Sequence, residues 1–191
     1  MPDCLDVFFA LAAYFSLVKP GCSLRAASVD FCHAYKNVGI APGQEEFSSV
    51  LLRPPSGPLL VAQLRAQPFG SSRAPANWGR VTALLKWIFL RLFGIVLAVF
   101  VDDCYLVEPS LAVECAYFCV CEVIRICGFD LDPAKACVPS QSILLLGALI
   151  SFSEDCISAA PPDSRRDALI AELGEFFEIV TNDAAEIRGG N

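Results

Sequence analysis

Histidine is almost missing from this 191-residue sequence: His33 stands alone against ten cysteines. No two cysteines form a Cys-x-x-Cys pair, so tetrahedral zinc sets lack both their spacing and their imidazoles. Charge is scarce too, at 18% of residues, and 14 Lys and Arg face 21 Asp and Glu for a net charge of −7. That sign argues against a self-sufficient nucleic-acid binder, because phosphate contacts draw on clustered Lys and Arg. Any basic surface must be local or belong to flanking parts. No apolar run reaches the roughly 20 residues of a membrane-spanning helix. The best stretch, 84–101, is broken by Lys86 and Arg91, which leaves only 92–101 uncharged. A secretory leader is also unsupported, since Asp3 and Asp6 precede the apolar 7–18 where positive charge belongs. Internal repeats and low-complexity tracts are absent.

What is present is apolar. Hydrophobic residues make up 55% of the chain and the mean hydropathy is +0.53, enough for one domain with a real core. The cysteines sit within apolar runs such as Cys115-Ala-Tyr-Phe-Cys119-Val-Cys121. They read as mostly buried, reduced thiols of an intracellular protein, in cytoplasm or nucleus, rather than as a disulfide framework.

Periodicity predicts an apolar helix over 4–18, stopped by Lys19-Pro20-Gly21, and a strand over 25–31. A hairpin follows, with strands over 48–52 and 59–64. Ser71, Ser72 or Asn77 is expected to cap a helix running to about Leu92. Strands over 95–100 and 104–107 then flank Val101-Asp102-Asp103, and a helix over 110–127 ends at Gly128. Residues 143–152 and 156–158 suggest a hairpin around Ser153-Glu154-Asp155, before an amphipathic helix over 164–180. Elements in this order give an α+β domain, an antiparallel sheet with helices packed on one face.

Adjacent aspartates straight after a buried strand are costly, because like charges repel and each loses hydration. A solvated turn is the ordinary explanation of Asp102-Asp103. A hard divalent cation is the sharper one, since it prefers carboxylate oxygens and reverses the electrostatic balance. Asp30, between Val29 and Phe31, repeats the pattern at another strand end. Two such ends meeting across a sheet could hold two metal ions for in-line displacement at phosphorus.

Read together, four segments resemble the conserved blocks of reverse transcriptases. They are Ser28-Val-Asp-Phe-Cys-His-Ala-Tyr-Lys-Asn-Val-Gly-Ile40, Ala66-Gln-Pro-Phe-Gly-Ser-Ser-Arg-Ala-Pro-Ala-Asn-Trp78, Phe100-Val-Asp-Asp103, and Gly128-Phe-Asp-Leu-Asp-Pro-Ala-Lys135 followed by Ile143-Leu-Leu-Leu-Gly-Ala-Leu-Ile150. Ala184-Ala-Glu-Ile-Arg-Gly189 resembles the start of the region after the palm in retrotransposon enzymes. The resemblance implies a polymerase palm with a ferredoxin-like core over 25–160. Residues 1–24 would be a remnant of the fingers connection and 161–191 the helical start of a thumb, with fingers and thumb largely absent. It implies RNA-directed DNA synthesis within a retroelement, on an RNA or DNA template with primer and dNTPs. No membrane is involved, and the partners include missing regions of a parent polyprotein. Asp30, Asp102 and Asp103, with the Phe31 carbonyl, would bind two Mg2+ ions, with Mn2+ a possible substitute.

Around them, Phe31, Ala34, Tyr35, Phe69 and Gly70 would line the nucleotide site, with Tyr35 excluding a ribose 2′-hydroxyl. Lys135 would support or protonate departing pyrophosphate, and Leu146 and Gly147 would grip the primer. Blander roles stay open: a core aromatic for Tyr35, a solvated surface lysine for Lys135, a packing tryptophan for Trp78 and a solvent-facing side chain for His33. A non-catalytic, truncated remnant that folds without polymerising is the alternative function, and an RNA-templated RNA polymerase is a related one.

Overall fold

The computed structural model describes residues 4–18, 21–153 and 156–173. The expected features at 174–180 and 182–191 lie outside them. The chain divides into two compact units between Gln141 and Ser142, within the span expected as one palm.

The first unit opens with α1 (Cys4–Val18), which buries Cys4, Phe8 and Ala12 at one-turn spacing. Next come β1 (Leu24–Asp30), the hairpin β2 (Ser49–Leu52) and β3 (Leu60–Gln63), and α2 (Ala74–Ile88). After them run β4 (Ala98–Phe100), β5 (Asp103–Pro109), α3 (Val113–Ile126) and β6 (Cys137–Ser140). The main sheet has the order β4-β5-β1-β6, antiparallel throughout. With the β2–β3 hairpin set aside, the order of elements is βαββαβ, the ferredoxin-like arrangement. Helices α2 and α3 supply Trp78, Leu85, Val113, Val120 and Ile124 to one core, against Ala27, Val29, Cys104 and Leu106 of the sheet. The opposite face of the strands, with Ala26, Ser28, Tyr105 and Val107, is buried as well. Helix α1 packs on β5, β4 and β1. The expected one-sided layering is therefore too simple: β1 and β5 are nearly continuous buried runs because neither face is left to water.

Other differences have local causes. The hydroxyls of Ser71 and Ser72 and the amide of Asn77 do not cap α2; Arg73 holds that position without a side-chain bond, and Pro75 lies in the first turn. The last turn of this helix, Phe89–Phe93, is π-helical and closes on Gly94, so Ile95 and Leu97 become buried connection rather than strand. Ser110 starts no helix because its amide and hydroxyl bond the Ser23 carbonyl and hydroxyl. Strand β6 was not foreseen, since Pro139 argues against a strand; it is an edge strand, where a missing N–H costs little.

In the second unit, 143–152 is not one strand. Strands β7 (Ser142–Leu145) and β8 (Ala148–Phe152) pair across Leu146-Gly147, and β9 (Ile157–Ala160) pairs with β8. Both turn residues have positive φ, 48° and 84°, as a two-residue hairpin with the sheet's own twist requires. Residues 163–173 are helical.

All ten cysteines are reduced thiols, but the expectation that most are buried fails. Only Cys4 and Cys104 are buried, while Cys115, Cys127 and Cys156 are exposed. On α3 the thiols of Cys115 and Cys119 fall off the buried stripe of Val113, Ala116, Val120 and Ile124. Brief alkylation of folded protein, read by peptide mass spectrometry, should label Cys115, Cys127 and Cys156 first and Cys4 and Cys104 last. Recovery of defined disulfide-linked peptides without prior reduction would contradict this.

Candidate active site

Three aspartates meet at one end of the main sheet. In the antiparallel register of β1 and β5, Asp30 stands directly opposite Asp103. Asp102 lies in the two-residue turn between β4 and β5, and its carbonyl accepts a 3.1 Å bond from the Phe31 amide. Asp30 is only 5% exposed. Desolvation, then a hydrogen bond to Asp30 and the charges of Asp30 and Asp102, push the Asp103 carboxyl up from its ordinary 3.8 to about 6; a hydrogen bond from Tyr105 opposes them. Two carboxylates pressed together in a partly dry place call for positive charge.

Lys135 provides one. Its Nζ lies 3.2 and 3.3 Å from the two carboxylate oxygens of Asp30, and that bond and charge raise the ammonium's pKa. The lysine is mostly exposed along its stem, yet its head is committed to a buried partner. What brings it there is a short extension of the sheet. The amides of Cys32 and Asp132 bond the carbonyls of Asp130 and Asp30, at 2.9 Å each, and Phe31 bridges Leu131. The Asp132 carboxylate then accepts the Ala134 amide, turning the chain so that Lys135 points back. Asp130 and Asp132 had no role in the sequence reading. The alternation Asp-Leu-Asp is a period-two signal that marks the extension.

The turn at Val101 is strained. Its φ is 53°, unusual for a β-branched residue and costing about 1–3 kcal/mol. Trp78 holds it: Nε1 donates a 2.6 Å bond to the Val101 carbonyl. The indole is itself packed edge-on against Phe31 and Phe129, at 5.0 and 5.8 Å between ring centroids.

Of the residues expected to line a nucleotide site, Tyr35 and Phe69 come together, with rings 5.2 Å apart and steeply inclined. Phe69 is 70% exposed and Tyr35 half-buried. Gly70 has φ 88° with open space at its missing Cβ. Ala34 and Phe31 are buried in the core, so only their backbones could meet a ligand. His33 is exposed. A cavity of about 410 Å³ beside the start of α2 is lined by Gly39, Gln67, Ser71, Arg73 and Asn77. Gln67 Oε1 is buried there without a hydrogen-bond partner among the described residues. Leu146 and Gly147 lie in the β7–β8 turn of the second unit.

The donors at Asp30, Asp102 and Asp103 are hard carboxylate oxygens with too few positive charges among them, which fits a divalent cation. They are not a finished cage. Among the described residues, no group of three His, Cys, Asp or Glu is arranged to hold a metal ion.

No protein-family model matches the sequence, and no curated protein does. Solved structures do. A foamy viral protease-reverse transcriptase in complex with double-stranded DNA superimposes with a TM-score of 0.60 at 16% identity, over 80% of this chain and 25% of that one. The same kind of protein in complex with RNA/DNA hybrid gives 0.51 at 16% identity, over 66% and 16%. A Prototype Foamy Virus mutant gives 0.54 at 17%, over 72% and 16%. The chain thus spans a quarter or less of these proteins and shares a reverse transcriptase-like fold with them. No helix among the described residues is long and apolar enough to cross a membrane.

The raised carboxyl of Asp103 has a measurable consequence. Its folded-state pKa exceeds the unfolded one, so its contribution to stability is greatest below pH 4 and is lost as pH rises through about 6. Asp103→Asn should therefore raise Tm at pH 7.5, with the gain shrinking as the pH falls below 6. Parallel thermal melts of both proteins check this, and an equal shift at every pH would refute it.

Proposed function

We propose that this chain carries the catalytic palm of an RNA-directed DNA polymerase of a retroelement. One observation carries the reading: Asp30, Asp102 and Asp103 converge at the shared end of β1, β4 and β5, with Lys135 on Asp30. Two of the similar structures are complexes with RNA/DNA hybrid and double-stranded DNA, which supports a nucleic-acid partner; an RNA or DNA template with primer, and dNTPs as substrates, belong to the polymerase reading itself.

Asp30, Asp102 and Asp103, with the Phe31 carbonyl, would hold Mg2+, two ions in all, or Mn2+ in its place. Such ions supply Lewis acidity and charge neutralisation for in-line attack by a primer 3′-hydroxyl. The chain's own groups do the positioning. Lys135 holds a proton at Nζ close enough to the carboxylates to meet a departing pyrophosphate oxygen. Tyr35, braced by Phe69, presents its ring to the sugar and leaves no room for a 2′-hydroxyl. Gly70 lets the nucleotide approach the backbone, and Leu146 and Gly147 form the turn that would hold the primer end. Arg73 and Gln67 beside α2 offer polar contacts to the template strand.

A folded remnant that does not polymerise is the second reading, and the acidic surroundings favour it: Asp130 and Asp132 add to a net charge of −7, which opposes the phosphate backbone.

Primer extension with the purified chain separates the two. Distributive, Mg2+-dependent addition of one or a few nucleotides is expected, without processive synthesis, and Asp102→Asn/Asp103→Asn should abolish it. No addition by well-folded protein would favour the remnant.

If addition is seen, Tyr35→Ala should admit ribonucleotides, read as a fall in the ratio of dNTP to rNTP incorporation. Unchanged discrimination would locate the sugar gate elsewhere.

A further inference from the structure

Trp78 was expected to be a packing residue, and it is fully buried. Burial alone does not account for its polar atom. The indole N–H is spent on the Val101 carbonyl, in the turn that carries Asp102 and leads into Asp103. Val101 is one of three non-glycine residues among those described with a positive φ, and the only β-branched one. A valine there relaxes toward negative φ unless something fixes its peptide. The same indole packs against Phe31, the residue after Asp30, and against Phe129, just beyond α3. Phe31 and Phe129 also pack on each other, with centroids 5.7 Å apart. One side chain on α2 therefore touches the backbone of the Asp102 turn and the ring that anchors the Asp30 strand end.

We propose that Trp78 is a positioning residue: its indole N–H locks Val101 in the left-handed conformation and so fixes Asp102 and Asp103 relative to Asp30. The proposal rests on the polymerase reading for its catalytic consequence but not for the lock itself. The Phe31–Trp78–Phe129 cluster sets where the indole sits, and the indole sets the turn. The strained residue is the one whose carbonyl the indole holds.

The test is a double-mutant cycle in the full chain. Trp78→Phe keeps an aromatic ring in the core while deleting the donor, at the cost of a smaller ring whose packing loss is common to both arms of the cycle. Val101→Gly makes positive φ free of strain, so the turn keeps its shape without the indole. Trp78→Phe should weaken Mn2+ binding, measured by electron paramagnetic resonance, by about tenfold. If the chain extends primers, kcat should fall while KM for dNTP holds. Adding Val101→Gly to Trp78→Phe should restore most of the Mn2+ affinity and of kcat. A purely structural tryptophan predicts the opposite: Val101→Gly would rescue nothing, and the two substitutions would act independently.

Two readouts do not need metal or activity. The Trp78 indole proton should exchange with solvent far more slowly than that of Trp87, which is 56% exposed. Urea unfolding should show Trp78→Phe destabilising the valine protein more than the Val101→Gly protein. Fast exchange or strict additivity overturns the lock. A lock that holds in a protein that neither binds Mn2+ nor extends primers would instead count against the polymerase reading.

Discussion

The interaction on which the rest of this molecule depends is the repulsion between Asp30 and Asp103, set opposite one another by strand register. An antiparallel pair fixes residues face to face, so neither aspartate can move away without breaking the ladder. The surroundings answer that constraint. Lys135 is delivered to Asp30 by a three-residue extension of the sheet, the Phe31 amide is bonded to Asp102, and the turn beyond is held in a strained conformation by an indole. Strain, a committed lysine and a raised carboxyl in one small region are features that a fold selected for stability alone would shed.

Much of this was legible in the sequence because the relevant signals are local. Val29-Asp30-Phe31 and Phe100-Val-Asp-Asp103 announce strand ends with charge on them, and the long periodic runs placed α1, α2 and α3 to within a turn. What stayed hidden was determined by tertiary contacts. Pro139 disguised β6, since only its place at the sheet edge makes proline acceptable there. The helix expected from residue 110 begins at Val113, because the Ser110 amide and hydroxyl are taken by Ser23, 87 positions away. The Trp78 indole read as packing, because no sequence pattern tells which carbonyl a buried N–H will meet. Local propensity did not mark Leu146-Gly147 as a turn, since leucine is a poor signal for positive φ; only the resemblance of 143–150 to a primer-grip hairpin pointed to it.

Charge and apolarity pull in different directions on the surface. The site is ringed by Asp102, Asp130 and Asp132, with Lys135 the cation that reaches into it, while β2 and β3 expose Val50, Leu51, Leu52, Leu60 and Val61. A two-stranded hairpin with apolar side chains on show is marginal in water by itself. The main sheet, by contrast, buries its central strands β1 and β5 on both faces, and these are the strands that carry Asp30 and Asp103.

The edges of that sheet carry a last implication. At one side β6 presents Pro139, which cannot donate to a neighbouring strand; at the other β4 is only three residues long. Edge proline and short edge strands are devices that stop backbone pairing between molecules. A chain with 55% hydrophobic residues would otherwise be a natural seed for ordered fibrils. Addition of a further strand at either side of this sheet is thereby disfavoured.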